Sequence, residues 1–203
     1  HVTGVQTCAL PILQNRSIKE SLAVFSGAGE GVSLFSSFAV LLSLNLTGRF
    51  KGVAQIISWS ALDEQQHSDT GIALFRQLIE EDPLTESEVE SIRNGFRMVV
   101  QNEDAFLTQI FNGRSLGTIT LEDTKQYLRW RANERIRKLG VSIPFFHCDE
   151  AAANRIKSWF HPLMAGATST DFFAQQKDGG NYISKPTQDF MGVNLKTLDL
   201  VLV

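Results

Sequence analysis

Hydrophobic residues recur at three- and four-residue spacing along most of this chain, and that pattern predicts helices rather than strands. The first predicted helix runs from Ser17 to about Leu44, and the second runs from Lys51 to Glu81. No stretch shows the sustained apolar and polar alternation of a strand. The first helix contains Gly27, Gly29 and Gly31. Because glycine loosens a helix, we expect a kink or a bulge at this place.

Capping and stop signals set the limits of the later helices. The signals are, in chain order, a stop at Asp82-Pro83, a capping box at Thr85 and Glu88, a stop at Asn112-Gly113, a cap at Thr120 and a stop at Gly140. Residues 45–50 are expected to form a loop, and a short helix is expected over 150–160. Long helices with short connections predict an all-α helical bundle. An extended C-terminal tail is expected after Pro162.

Composition narrows the class of protein. The chain has 203 residues, 43% of them hydrophobic and 20% charged, with a net charge of −3. This composition excludes a disordered chain and disfavours a basic nucleic-acid-binding protein. Two cysteines are too few for a disulfide-rich scaffold. The most apolar run, residues 35–46, is short and interrupted by polar residues, so no membrane span is expected.

Polar residues interrupt the predicted buried face of the second helix. We assign to that face Val53, Ile56, Ile57, Ser60, Glu64, His67, Gly71, Leu74 and Leu78. We assign to the opposite, polar face Ser58, Gln65, Gln66, Ser68 and Asp69. Glu64 and His67 are three residues apart, so their side chains share one side of the helix. A carboxylate and an imidazole on a buried face are costly unless they are paired or bind a cation.

Glu30 is a similar anomaly in the first helix, where it is aligned with Leu34 and Phe38 on an apolar face. Helical bundles that hold two metal ions use one Glu from each of two helices and a Glu-x-x-His pair from each of the other two. Glu30 with Glu64 and His67 would supply half of that set. Two interpretations stay open here: a dinuclear metal site, or a helical interaction module in which these side chains pair with buried polar groups.

Several segments, taken in order, resemble the small subunit of class I ribonucleotide reductase. The segments are EGVSLFSSFA at 30–39, KGVAQIISWS at 51–60 and LDEQQH at 62–67. Two later segments, at 101–106 and 125–140, are also similar to that family. The resemblance extends from about residue 17 to residue 159, and its specificity comes from the ordered combination.

The resemblance implies a ferritin-like bundle in which Glu30, Glu64 and His67 are metal ligands. It implies that Asp63 hydrogen-bonds a metal-bound histidine and lies on the radical-transfer route. A carboxylate in this position orients an imidazole ligand and raises its basicity. In the family a tail tyrosine relays the radical to the large subunit, and Tyr182 is the candidate for that role.

The resemblance also implies an activity, a cofactor and partners. The activity is that of a ribonucleoside-diphosphate reductase small subunit, an oxidoreductase whose radical serves deoxyribonucleotide synthesis. The cofactor is a dinuclear metal centre, with Fe/Fe as the first expectation and Mn/Fe or Mn/Mn left open. The expected partners are the large subunit, bound through the C-terminal tail at 197–203, and a second small subunit in a cytoplasmic homodimer. Another ferritin-like di-metal oxidase or hydroxylase remains an alternative.

The two ends of the chain are expected to differ from its middle. His1–Ile12 reads like a translated sequencing adapter, so we expect this segment to be foreign to the protein. We expect a partial ferritin-like domain at 13–162 and a tail at 163–203. The remaining metal ligands would then lie upstream of residue 13. On this hypothesis the chain alone holds no stable metal pair and is inactive.

Overall fold

The computed structural model describes residues 16–48 and 50–167 and, within the last helix, side chains only as far as Met164. The helices are α1 (Ile18–Leu22), a π-helix (Ala23–Ser33), α2 (Leu34–Ser43), a 3₁₀ turn (Leu44–Thr47), α3 (Lys51–Glu81), α4 (Glu86–Phe111), α5 (Leu121–Leu139) and α6 (Glu150–Ala167). Within those two ranges the β-structure consists of one isolated bridge between Leu116 and Ile119. The predicted all-α class is confirmed.

Helix limits follow the signals in the sequence closely. α3 has the predicted limits, and α4 opens with the predicted capping box at Thr85 and Glu88. Asn112 follows the last residue of α4 and Gly140 that of α5, and both are in the left-handed conformation. Positive φ at a helix C-terminus favours Gly or Asn, so these residues end the two helices at low steric cost.

The first predicted helix is one continuous rod whose winding changes three times. It begins as α-helix, becomes a π-helix over Ala23–Ser33, returns to α-helix and ends as a 3₁₀ turn. The expected bulge is therefore present, and it takes in all three glycines. The predicted loop at 45–50 is wrong at its start, because the 3₁₀ turn reaches Thr47. The turn ends at Gly48, which has a φ of 75°.

The π-helix is the central element of the fold, and α3, α4 and α5 pack against it. The contacts are close. A Cβ at Gly31 would lie 2.7 Å from the Arg135 Cδ, and a Cβ at Gly27 would lie 3.0 Å from a Phe96 ring carbon. The absence of side chains at these two positions lets α5 and α4 approach the backbone of the π-helix.

The predicted buried face of α3 is wrong by about one position. Val53, Ile56 and Leu74 are 49%, 56% and 49% exposed. The buried residues of α3 are instead Ala54, Ser58, Ala61, Ser68, Ile72 and Phe75. Small side chains form most of this face, and the π-helix comes close to it at Ser68 and Gly71, which both lie against Ser26. Ser58 and Ser68, assigned to the polar face, are buried, and the Ser68 hydroxyl donates to the Ser26 carbonyl at 2.6 Å.

Two further expectations need correction. The sequence predicted no membrane-spanning segment. By length and composition alone, however, the rod from Ile18 to Thr47 is a candidate membrane span. Of its most apolar window, 61% is buried inside the structure, as in the core helix of a bundle. The last helix passes the expected end at 160 and continues through Pro162 to Ala167. Phe160 and Met164 hold this helix in the hydrophobic core.

Contacts divide the chain into one unit at residues 1–164 and a second at 165–203. Of the second unit, only the helical backbone at 165–167 is described. The adapter-like segment, Tyr182 and the tail at 197–203 lie outside the described residues. The proposed division into a helical domain and a tail remains a prediction.

Substitution at Gly71 tests the close packing between α3 and the π-helix. A Cβ at Gly71 would lie 1.9 Å from the Ser26 Oγ and 2.5 Å from the Ser26 Cβ. We expect Gly71→Ala to lower the free energy of unfolding by about 1–3 kcal/mol, because overpacking forces side chains or backbone to shift. Urea unfolding followed by circular dichroism measures this change.

Gly52→Ala on the same helix is the matched control, because a Cβ there has no atom within 4 Å. This variant should be unchanged or more stable by up to about 1 kcal/mol, since alanine favours a helix. Equal stability of the two variants would contradict the packing argument.

Candidate metal centre

Glu30, Glu64 and His67 converge on one point between the π-helix and α3. One ligand atom from each residue lies within 4.8 Å of the ligand atoms of the other two. Glu64 and His67 come from adjacent turns of α3, and Glu30 faces them from the π-helix. The structure therefore brings together all three residues that the sequence singled out as metal ligands.

Local packing explains how Glu30 reaches this position. A π-helix has more residues per turn than an α-helix, so it changes the direction in which each side chain points. Opposite Ser26, α3 has Gly71, which leaves room for the serine side chain. Ser26 also hydrogen-bonds the Glu30 carboxylate and favours its charged form. The winding of the π-helix and the small residues around it together set the approach of Glu30 to α3.

The electrostatics of the cluster favour a cation. Burial raises the pKa of Glu30, and the nearby negative charge of Glu64 raises it further. His67 and the Ser26 hydroxyl act in the opposite direction but do not cancel the shift. A carboxylate that is desolvated beside a second carboxylate gains most from a bound positive ion.

The donor set fits a divalent transition metal. Two carboxylates and one imidazole are the ligand types that iron and manganese accept in bundle proteins. The three side chains would occupy part of a coordination shell and leave other positions for further ligands. The chemistry of the residues present is consistent with the group that the family resemblance implies.

His67 is more exposed than predicted, and Asp63 is exposed as well. The side chains are 53% and 67% exposed, because this side of α3 lies at the edge of its packed face. The Asp63 Oδ1 is 3.7 Å from the His67 Nε2, which is ion-pair distance and too long for a hydrogen bond. The Glu64 Oε2 is 4.0 Å from the His67 Nδ1. A role for Asp63 in hydrogen bonding and radical transfer remains a prediction.

Sequence reasoning missed a set of buried polar residues beside the cluster. Arg131 and Arg135 of α5 are 4% and 1% exposed, although nearly half of the residues of their helix are charged. They bond to the π-helix, to α3 and to Glu134. The signal in the sequence was their spacing of four residues, which puts both arginines on one side of α5.

Glu103 of α4 is a second missed residue. Its carboxylate accepts hydrogen bonds from Ser33 at 2.8 Å and from Ser36 at 2.7 Å. Burial raises the pKa of Glu103 against the effect of these two hydroxyls. The two serines flank the point where the π-helix becomes α2, so Glu103 fixes that junction to α4.

An all-helical fold in which glutamates and a histidine converge from neighbouring helices has the architecture of the ferritin-like carboxylate metal proteins. The family model for the ribonucleotide reductase small chain matches residues 5–151. The chain belongs to that family. The match includes part of the adapter-like segment, so it gives no support to the foreign origin of residues 1–12, which stays a prediction.

Curated relatives agree with the family assignment. The chain is 33% identical over 159 residues to a probable ribonucleoside-diphosphate reductase small subunit, 048L, of Invertebrate iridescent virus 3, covering 77% of this chain and 41% of the relative. It is 26% identical over 211 residues to the probable small subunit 376L of Invertebrate iridescent virus 6, covering 92% and 58%. The chain thus spans about half the length of these relatives.

The raised pKa of Glu30 predicts a pH-dependent cost in the metal-free chain. An acid whose pKa is higher in the folded state than its value of 4.5 when unfolded loses stability as pH rises from 4.5 through the raised value. We therefore expect Glu30→Gln to raise the Tm of the metal-free chain by a few degrees at pH 7. This difference should disappear below pH 4.5, and thermal unfolding followed by circular dichroism measures it.

Glu80→Gln is the control, because Glu80 is an exposed glutamate of the same helix as Glu64 and carries the same charge change. The Tm of the Glu80→Gln variant should equal that of the wild type at each pH. A Glu30→Gln chain that is less stable than the wild type at pH 7 would show that the cluster is not electrostatically strained.

Proposed function

We propose that this chain is part of a ribonucleoside-diphosphate reductase small subunit and that Glu30, Glu64 and His67 are ligands of its dinuclear metal centre. The observation that carries the proposal is the convergence of these three side chains within 4.8 Å in a member of the ribonucleotide reductase small chain family. Family membership gives the class of protein, and the cluster identifies the place in this chain where its chemistry would occur.

When bound, the dinuclear centre supplies the one-electron oxidation from which the radical used by the large subunit originates. The chain's own residues hold and shield that centre. The carboxylates of Glu30 and Glu64 offset positive charge, and a ring nitrogen of His67 completes their share of the ligands. Because the pKa of Glu30 is raised, binding a cation also displaces any proton that remains on this carboxyl group.

Aromatic packing along α2 would limit access of water to such a centre. Phe35 and Phe38 are 1% and 8% exposed, and their rings make an edge contact with a centroid distance of 5.7 Å. They follow Glu30 by one and two turns of the rod. An apolar wall at this place would protect a reactive species from side reactions.

The remaining parts of the proposal concern the other ligands, the metal, the partners and the radical-transfer route. Three side chains are half of the ligand set that the family resemblance implies, so we propose that further ligands come from outside the described residues. We propose Fe/Fe as the cofactor, with Mn/Fe or Mn/Mn as alternatives. We also propose a cytoplasmic homodimer that binds the large subunit through its tail, with Asp63 and Tyr182 on the radical-transfer route.

Cobalt(II) titration of the 203-residue chain tests the ligand set directly. We expect one weakly bound ion per chain, detected by its visible absorption. Glu30→Ala, Glu64→Ala and His67→Ala should each weaken binding by at least about 10-fold, since each removes a direct ligand. Glu80→Ala and His147→Ala remove exposed residues of the same types and should bind cobalt as the wild type does.

Two outcomes would contradict the ligand assignment. Unchanged cobalt affinity in the three ligand variants would show that the ion binds elsewhere. Two tightly held irons per chain in metal analysis would show that this chain already contains a complete site, against the half-site proposed here.

The whole activity is tested in the gene recovered with its flanking sequence. With the large subunit present, we expect Glu64→Ala to lose the radical signal and to reduce turnover by about 100-fold or more. Undiminished signal and turnover would show that Glu64 is not a metal ligand, whereas a wild type with neither a radical signal nor turnover would favour the helical interaction module. A wild type that retains oxidase activity but neither binds the large subunit nor supports turnover would favour another di-metal oxidase. Native coding sequence through codons 1–12 would contradict the adapter interpretation.

A further inference from the structure

Two arginines of α5 lie side by side in the interior, next to the candidate metal centre. Arg131 and Arg135 are separated by one helical turn, and both side chains are almost fully buried. The guanidinium of Arg131 also stacks on the Phe35 ring at 3.7 Å. Neither arginine forms a hydrogen bond or an ion pair with Glu30, Glu64 or His67, so any effect on the cluster must be transmitted through other residues.

The hydrogen bonds of this pair follow a simple rule: they reach the residue that comes directly after each of the three ligands. The Arg131 Nε donates to the carbonyl of Gly31, which follows Glu30, at 2.7 Å. An Arg131 Nη donates to the Oε1 of Gln65, which follows Glu64, at 2.6 Å. An Arg135 Nη donates to the Oγ of Ser68, which follows His67, at 3.2 Å.

Further bonds make the arrangement rigid. Arg135 also donates to the same Gln65 oxygen at 3.3 Å and to the Asp69 carboxylate at 2.7 Å. Glu134 accepts from both guanidiniums, at 3.0–3.1 Å. Glu134 and Asp69 thus balance two buried positive charges. The Gln65 side chain is the point where both arginines meet α3.

Stability alone is a poor reason for this arrangement. Burying two like charges next to each other costs desolvation and repulsion, and apolar side chains of similar volume often give equal or greater stability. The planar guanidinium group, in contrast, has several N–H donors in fixed directions, so it can hold several acceptors at fixed separations. The pair links the π-helix to α3 at the level of the three ligands.

We propose that Arg131 and Arg135 are positioning residues that set the separation of Glu30 from Glu64 and His67 by holding Gly31, Gln65 and Ser68. This inference rests on the proposed function, because it assigns the pair a role in the geometry of the same metal site. The pair does not bind the ion. It fixes the backbone and side chains from which the ligands project.

Gln65→Leu tests this role while leaving both arginines in place. It removes the acceptor that the two guanidiniums share and the Gln65 Nε2 donor to the Asp69 carboxylate. Gln66→Leu makes the same chemical change at the next, exposed position and is the matched control. Arg131→Lys keeps the positive charge but removes the planar guanidinium and its fixed N–H donors. Each variant of the 203-residue chain is titrated with cobalt(II), and its visible spectrum at saturation and its urea midpoint are recorded.

We expect Gln65→Leu and Arg131→Lys to weaken cobalt binding by roughly 10–100-fold, the usual effect of disturbing groups that orient metal ligands. Both should also change the visible spectrum at saturation, which reports the coordination geometry. Gln66→Leu should retain the wild-type spectrum. A residue that only stabilises the fold would shift the urea midpoint and leave the spectrum of the saturated chain unchanged.

The results separate this inference from the proposed function. If the wild type binds no cobalt, the metal site and this inference both fail. If the wild type binds cobalt and Gln65→Leu has the same affinity and spectrum, the positioning role alone is overturned. A Gln66→Leu variant that changes the spectrum as much as Gln65→Leu would overturn it as well.

Discussion

The structure depends on the close contact between the backbone of the π-helix and three surrounding helices. That contact requires positions without side chains. Gly31 leaves room for Arg135, and Gly71 of α3 leaves room for Ser26. With the backbones this close, carbonyl groups such as that of Ser26 can be reached by hydroxyls of neighbouring helices. The position of Glu30 follows from the same contact, because the rod carries this residue toward α3.

The cluster of Glu30, Glu64 and His67 illustrates a conflict between stability and binding. Two carboxylates brought together in a partly buried place destabilise the metal-free chain, as the raised pKa of Glu30 indicates. The surrounding helices hold the carboxylates there through packing and hydrogen bonds remote from the charges. The same repulsion strengthens attraction for a cation, so the arrangement costs stability in one state and contributes affinity in the other.

Local signals in the sequence were sufficient for most helix limits and for the three candidate ligands. Caps at Thr85 and Thr120 act within a few residues, and the spacing of Glu64 and His67 is a property of one helix. The buried face of α3 was not predictable in this way. The usual rule places large apolar residues inside, but the rod packs so closely against α3 that small residues such as Ala54, Ala61 and Ser68 are buried instead. The buried arginines were missed for a related reason, since their partners come from other helices.

The winding of the rod also has a consequence for insertions and deletions. In an ordinary helix each residue turns the chain by about 100°. A π-helix turns the chain by less per residue, so loss of one residue between Ala23 and Ser33 would be taken up if one wide turn tightened to α-helical winding. The helices on either side would keep their orientation, whereas side chains within that turn would be rotated about the rod axis. The number of residues in the glycine-rich stretch therefore determines which of its side chains faces α3.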